Sequence, residues 1–242
     1  MDGLNSFTSI VRKGVDEFHM IEEGDRIAVG VSGGKDSLVL LRSLAHLRTY
    51  YPHKFELEAI TIDLGYASMD YSPISKLCEE IKVPYTCINT DIREVVFDVR
   101  KEANPCSLCS KMRRGALNDA LKVRGLNKLA LGHHMDDAVE TFMMSLIFEG
   151  RVNCFKPVTY MSRAEVHQIR PMIYASEDQI ANLCERLELP IVKNACPADR
   201  DSKRREIKGL IANLETDYPD IKSKIFGAMK RLPLDGWQTN EN

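Results

Sequence analysis

Apolar residues recur along this chain in two alternating rhythms. Short runs, Arg26 to Val31, Leu57 to Asp63, Tyr85 to Asn89, Lys128 to Gly132 and His167 to Pro171, have the length and composition of strands. Helical patterning follows Asp36, Pro73, Ser107, Met135 and Ser176. Strand, helix and strand in repeated succession imply an α/β fold built on a doubly wound parallel sheet. A leading helix is expected over Met1 to Gly24, and two amphipathic helices, "DRDSKRREIKGLIANLE" and "YPDIKSKIFGAMKRL", from Asp199 onward. The pattern divides the chain into a helical leader at 1–24, a main domain at 25–198 and a helical extension at 199–242. No internal repeat is visible.

A chain of 242 residues with 44% hydrophobic and 28% charged content is long enough for one substantial core. No apolar run has membrane-spanning length, and the start, "MDGLNSFTSIVRKG", lacks the apolar region of a secretion signal. A cytoplasmic protein with no membrane partner is therefore expected. That setting changes the meaning of the seven cysteines, which point to thiols, ligands or catalytic groups rather than a disulfide framework. The formal net charge of −2 gives no global basic footprint, so a nucleic acid would have to meet a local patch.

The richest stretch is "VGVSGGKDSLVLL", Val29 to Leu41. It lacks the glycine spacing of a Walker A loop, because Gly34-Lys35 is followed by Asp36 and the upstream position is Val29. A strand runs into Ser32, Gly33 and Gly34, and a helix opens near Asp36, so several backbone N–H groups and the positive helix end point at one anion. Lys35 adds charge, and the Ser32 and Ser37 hydroxyls can donate to phosphate oxygens. A turn capped by Ser or Asp is the plainer alternative. "TIDLGY" and "LGHHMDD" fall, like "SGGKDS", beyond strand ends, where ligands of such sheets bind.

Together "MIEEGDRIAVGVSGGKDS", "PCSLCSKMRRGAL" and "LGHHMDDAVETFMMSLIFEG" resemble the tRNA 2-thiocytidine synthetase family of PP-loop ATP pyrophosphatases, from about Met20 to Arg231. The resemblance implies an ATP-dependent tRNA sulfurtransferase that adenylates the C2 carbonyl oxygen of a cytidine, position 32 of tRNA, and replaces it with sulfur. It implies that Ser32, Gly33, Gly34, Lys35, Asp36 and Ser37 hold the phosphates that leave as pyrophosphate. It places Gly132, His133, Asp136 and Asp137 along ATP and Mg²⁺. It assigns Cys106, Cys109 and Cys196 to a [4Fe-4S] cluster that leaves one iron open for sulfide. The expected partners are a tRNA substrate, sulfide or a cysteine desulfurase as sulfur source, and a second copy in a homodimer.

Alternatives remain at several positions. Asp63 suits nucleotide or base contact and catalysis, or simply opens a turn. Asp136 and Asp137 can each be plain helix caps. One C-x-x-C fits zinc, a redox pair or a cluster, with His133, His134 or His167 able to complete a zinc site. Around Cys196 the chain has "NACPADRDSKRR" where the family usually carries a second C-x-x-C, and Cys154 is the rival third ligand. Cys78, Cys87 and Cys184 have the surroundings of core thiols. Lys111, Arg113 and Arg114, and separately Lys203, Arg204 and Arg205, suit RNA phosphate or AMP, or form solvated helix faces. Thiolation or desulfuration of another nucleoside or small metabolite, an amidase or ligase, and a non-catalytic nucleotide sensor are the alternative functions.

Overall fold

The computed structural model of the chain describes residues 2–101, 105–162, 164–192, 196, 203–232, 234, 235 and 237. Helix α1 (Asp2–Glu17) precedes strand β1 (Arg26–Gly30), which feeds α2 (Lys35–Leu47). There follow β2 (Glu56–Asp63), α3 (Ser72–Glu80), β3 (Tyr85–Asn89), α4 (Pro105–Arg124), β4 (Lys128–Ala130) and α5 (Met135–Met144). The last elements are β5 (Val158–Met161), β6 (Val166–Ile169), α6 (Glu177–Arg186), α7 (Lys203–Asp217) and α8 (Ile221–Arg231). One π-helical turn, Glu94–Val99, precedes α4, and another, Ser145–Glu149, prolongs α5.

The strands lie in the order β3-β2-β1-β4-β6-β5 and are parallel except for the β5–β6 hairpin. The parallel, doubly wound sheet expected from the alternation is therefore present. Strand β5 was not expected: its four residues are at the sheet edge and only partly buried, so they show too little apolar contrast to stand out. The strands pack both faces. Ile27 and Val29 of β1 and Leu57 and Ala59 of β2 enter the larger core, while Ala28 and Ile60 enter the smaller one beneath α4.

The leading helix is not a loose appendage. Leu4, Phe7, Val11 and Val15 recur along one stripe and are buried in the larger core, each stabilising by roughly 1.5–3 kcal/mol before entropy. Ile207 and Ile211 of α7, Phe226 and Met229 of α8, and Trp237 enter the same core. The expected junction at residues 198 and 199 lies outside the described residues. Helix α4 is different. It covers the opposite face with Ala120 and Leu121 near its end, while its first half buries no residue fully. That leaves Cys106 and Cys109 on a projecting segment.

Strands β1 and β4 are neighbours, and their chain connections leave in opposite directions along the sheet. A crevice opens beyond their carboxyl ends, as at the switch point of any doubly wound sheet. The "SGGKDS" and "LGHHMDD" segments both occupy it.

Candidate functional site: a phosphate loop between thiols and acids

The turn after β1 is held from within. Ser37 Oγ accepts from the Ser32 N–H at 3.1 Å and donates to the Gly34 carbonyl at 2.9 Å. The two serine hydroxyls lie 3.2 Å apart. Gly33 has φ +87°, and a Cβ there would lie 2.9 Å from Val192 Cβ, so conformation and space both demand glycine. Gly34 caps α2 with no side-chain hydrogen bond, leaving the first N–H groups of the helix for an anion. Gly132 serves approach rather than turning: a Cβ there would stand 3.0 Å from the Asp36 carbonyl carbon. Its absence lets the end of β4 touch the loop.

On one side of the loop lies an ionic network. Lys35 Nζ contacts Asp36 Oδ1 at 2.9 Å and Glu177 Oε1 at 3.2 Å. Burial opposes its charge, yet the two acids hold its pKa above the ordinary lysine value. Asp136 Oδ2 accepts from the Glu177 N–H at 2.8 Å, and its Oδ1 meets Lys222 Nζ at 3.1 Å. Burial works against this carboxylate too, but the His134 ring, the Glu177 amide and Lys222 keep its pKa well below the usual range. Asp137 accepts from the His134 N–H at 3.1 Å and from Arg204 Nη1 at 3.0 Å. Arg204 also reaches Glu140 at 2.9 Å. Both acids thus cap or tether helices, as the plainer reading held, and connect through Glu177 and His134 to Lys35 and Asp36 of the loop.

On the other side is a cavity of about 540 Å³. Ser32 and Gly34 line it, together with Cys106, Cys109, Cys196 and Arg113. The Tyr66 hydroxyl, its pKa raised by burial, hydrogen-bonds the Cys196 thiol. Burial raises the Cys109 pKa, Arg113 opposes that shift, and Cys196 and Cys106 reinforce it, so Cys109 lies within electrostatic reach of both other sulfurs. Cys154 is elsewhere. Its thiol points at the Ala138 carbonyl, 3.4 Å away, and burial pushes it up to about 12.

Other expected residues fall at different distances from this centre. Asp63 Oδ1 accepts from the Gly65 N–H at 3.0 Å, the turn-opening role, while its neighbours Ile62 and Leu64 line the cavity. His133 is buried, which lowers its pKa to about 4, with Arg170 adding to the effect. Cys78 and Cys184 are buried as expected, whereas Cys87 is exposed, because its strand lies at the sheet edge. Four participants in this ionic network were not expected in it: Glu177 and Lys222 were not singled out, His134 was considered only for zinc, and Arg204 only as a phosphate contact or solvated face. His134 stands 3.4 Å from Asp137 and 3.9 Å from Asp36, and Glu177, Arg204 and Lys222 complete the network. Only the basic run around Arg204 gave any sign of this.

The donor chemistry suits the groups expected here. Carboxylate oxygens beside a phosphate loop are Mg²⁺ ligands by type. Among the described residues no three His, Cys, Asp or Glu side chains stand close enough to hold a single metal ion. A [4Fe-4S] cluster asks for wider spacing, because each thiolate meets a different iron. Three cysteines around one cavity, with no imidazole or carboxylate among the described residues of its lining, meet that demand by composition.

A switch-point crevice, a Ser-Gly-Gly-Lys-Asp-Ser loop and facing acids define a nucleotide-binding protein of the PP-loop class. The chain matches the family described as PP-loop domain over residues 7–214 and belongs to it. Within that class it belongs with the tRNA-cytidine(32) 2-sulfurtransferases. It is 38% identical to that enzyme of Pelobacter propionicus over 92% of this chain and 84% of the relative, and 36% identical to that of Geobacter sulfurreducens over 90% and 86%. Among solved structures it resembles the U34-tRNA thiolase NcsA from Methanococcus maripaludis with its [4Fe-4S] cluster, at TM-score 0.77 and 29% identity over 95% of this chain and 78% of the other.

Proposed function

We propose that the chain is an ATP-dependent tRNA sulfurtransferase that converts cytidine 32 to 2-thiocytidine. The observation that carries this reading is one cavity lined both by the phosphate loop, through Ser32 and Gly34, and by Cys106, Cys109 and Cys196. The loop holds the β- and γ-phosphates. The C2 carbonyl oxygen of the base attacks the α-phosphorus of ATP, and pyrophosphate departs. Sulfide then attacks C2, and AMP leaves with the original oxygen. Backbone N–H groups and Lys35 stabilise the charge growing on pyrophosphate, which is preorganised electrostatic catalysis with little proton transfer.

Asp136 and Asp137 would hold Mg²⁺, which neutralises phosphate charge when bound. Cys106, Cys109 and Cys196 would hold a [4Fe-4S] cluster, which supplies an open iron as a Lewis acid for sulfide. Asp63 fixes the turn beside the cavity and so orients Leu64 and Tyr66. Arg113, facing the same cavity, attracts phosphate. Sulfide or a cysteine desulfurase as donor, a homodimer, and a cytoplasmic site of action complete the proposal. Among the described residues no helix is long and apolar enough to cross a membrane.

The test is anaerobic purification with iron and sulfide counts, followed by ATP, a sulfide source and unmodified tRNA. The expected products are pyrophosphate, AMP and 2-thiocytidine at position 32. Thiolated uridine at position 34 would move the substrate toward that of the structural neighbour. Pyrophosphate without any thionucleoside would sink the sulfur-transfer reading.

A further inference from the structure

Arg170 immediately follows β6 and is only 7% exposed. Among the described residues it makes no ion pair. Its Nη1 donates to the Lys156 carbonyl and to Thr159 Oγ1, the latter at 3.3 Å. Its guanidinium carbon lies 4.7 Å from the centre of the Phe155 ring. These contacts fix one side of the planar fork, while Nε is buried with no hydrogen-bond partner among the described residues. A buried charge with a bare donor is costly unless something else meets it.

The neighbouring groups sharpen the case. Strands β4 and β6 pair with Ala130 opposite Ile169, so Arg170 and the segment that carries His133 leave neighbouring strand ends, and both rest against Phe155. The His133 ring lies 5.2 Å from the same Phe155 ring, and its Nδ1 is also buried without a partner. Arg114 on α4, the cysteine-bearing helix, is close enough to oppose the charge on Arg170. Stacking on Phe155 would explain a purely structural arginine. It does not explain a second cation nearby, or two orphan nitrogens on adjacent strand ends.

We propose that Arg170, with His133 and Arg114, forms a phosphate subsite beyond β4 and β6, gripping phosphate through the side of the fork that Lys156 and Thr159 leave free. The subsite deepens the proposed reaction and rests on it only for the choice of ligand. Two sources offer that chemistry: the phosphate of the AMP portion of ATP, and a phosphodiester of the RNA beside the target base.

Binding of AMP, pyrophosphate and an anticodon stem-loop RNA to the full chain separates them. Arg170→Lys keeps the charge and loses the fork. It should weaken AMP or RNA by about tenfold or more, leave pyrophosphate unchanged, and be matched in direction by His133→Gln. Weakening of AMP assigns the site to the nucleotide, and weakening of RNA assigns it to the substrate strand. Folded variants that bind both as before overturn the proposal. Should the variants not fold, the Arg170 Nε–H resonance of the wild-type chain decides: it must shift with AMP or RNA, and a signal blind to both overturns the subsite. A chain that binds through Arg170 but makes no thionucleoside would sink the sulfurtransferase reading and leave the subsite standing.

Discussion

Cys154 and Cys196 are both partly buried thiols, but their surroundings differ. Cys196 faces the cavity beside Cys106 and Cys109, whereas Cys154 is turned into α5. Replacing Cys106, Cys109 or Cys196 with Ala should lower iron per chain and thiolated product together. Cys154→Ala should change neither, costing about 1 kcal/mol in thermal stability. Gly33 makes a sharper point. Its positive φ and the nearby Val192 Cβ predict that Gly33→Ala costs about 1–2 kcal/mol from backbone strain alone and abolishes pyrophosphate release, measured by phosphate coupling assay. The loop was legible in the sequence because its six residues are contiguous and its shape depends on its own backbone. The choice between the two cysteines was not, because both are distant in sequence from Cys106 and only the folded path of the chain brings one of them to it. The place of His134 was illegible for a similar reason: read only as a possible zinc ligand, it is distinguished from His133 by burial among three carboxylates.

At the scale of elements, strands and helices were legible wherever apolar periodicity was strong, and the hairpin strand β5 was lost where it was weak. What periodicity could not convey is that the C-terminal helices complete the nucleotide side of the site. Arg204, at the start of α7, holds Asp137 and Glu140, while Lys222, at the start of α8, holds Asp136 and Glu215. Asp136 and Glu140 are well buried, so removing their partners exposes the full desolvation cost of a carboxylate. Lys222→Met and Arg204→Met should each destabilise the chain by about 1–3 kcal/mol. Each should also weaken ATP binding, since the tethers position the acids beside the loop. Thermal midpoints and nucleotide titration check both, and ATP affinity unchanged in either variant would make the tethers purely structural.

For the whole molecule, adjacent histidines set opposite limits on stability with pH. Burial depresses His133 to about 4 from 6.5, with Arg170 contributing, so the fold excludes its proton. Its contribution is complete above pH 6.5 and is lost as pH falls from there toward 4, a change of up to about 3 kcal/mol. His134 behaves inversely. Burial opposes its charge, but Asp136, Asp137 and Asp36 raise its pKa above 6.5, so its contribution is complete below 6.5 and lost as pH rises through the raised value. Asp136 and Glu177, both lowered, lose their contributions only as pH falls below about 4.5, so they overlap just the acid foot of the His133 limb. Glu140, raised by burial, gains stability on acidification and partly offsets the acid side. The nucleotide-free chain should therefore show a dome in urea midpoint near pH 6.5. His133→Gln should flatten the acid limb and His134→Gln the alkaline one. The difference between wild-type and variant curves reports each histidine together with its coupling to the neighbouring charges. An acid limb that survives intact in His133→Gln would mean that the buried ring accepts its proton without opposing the fold.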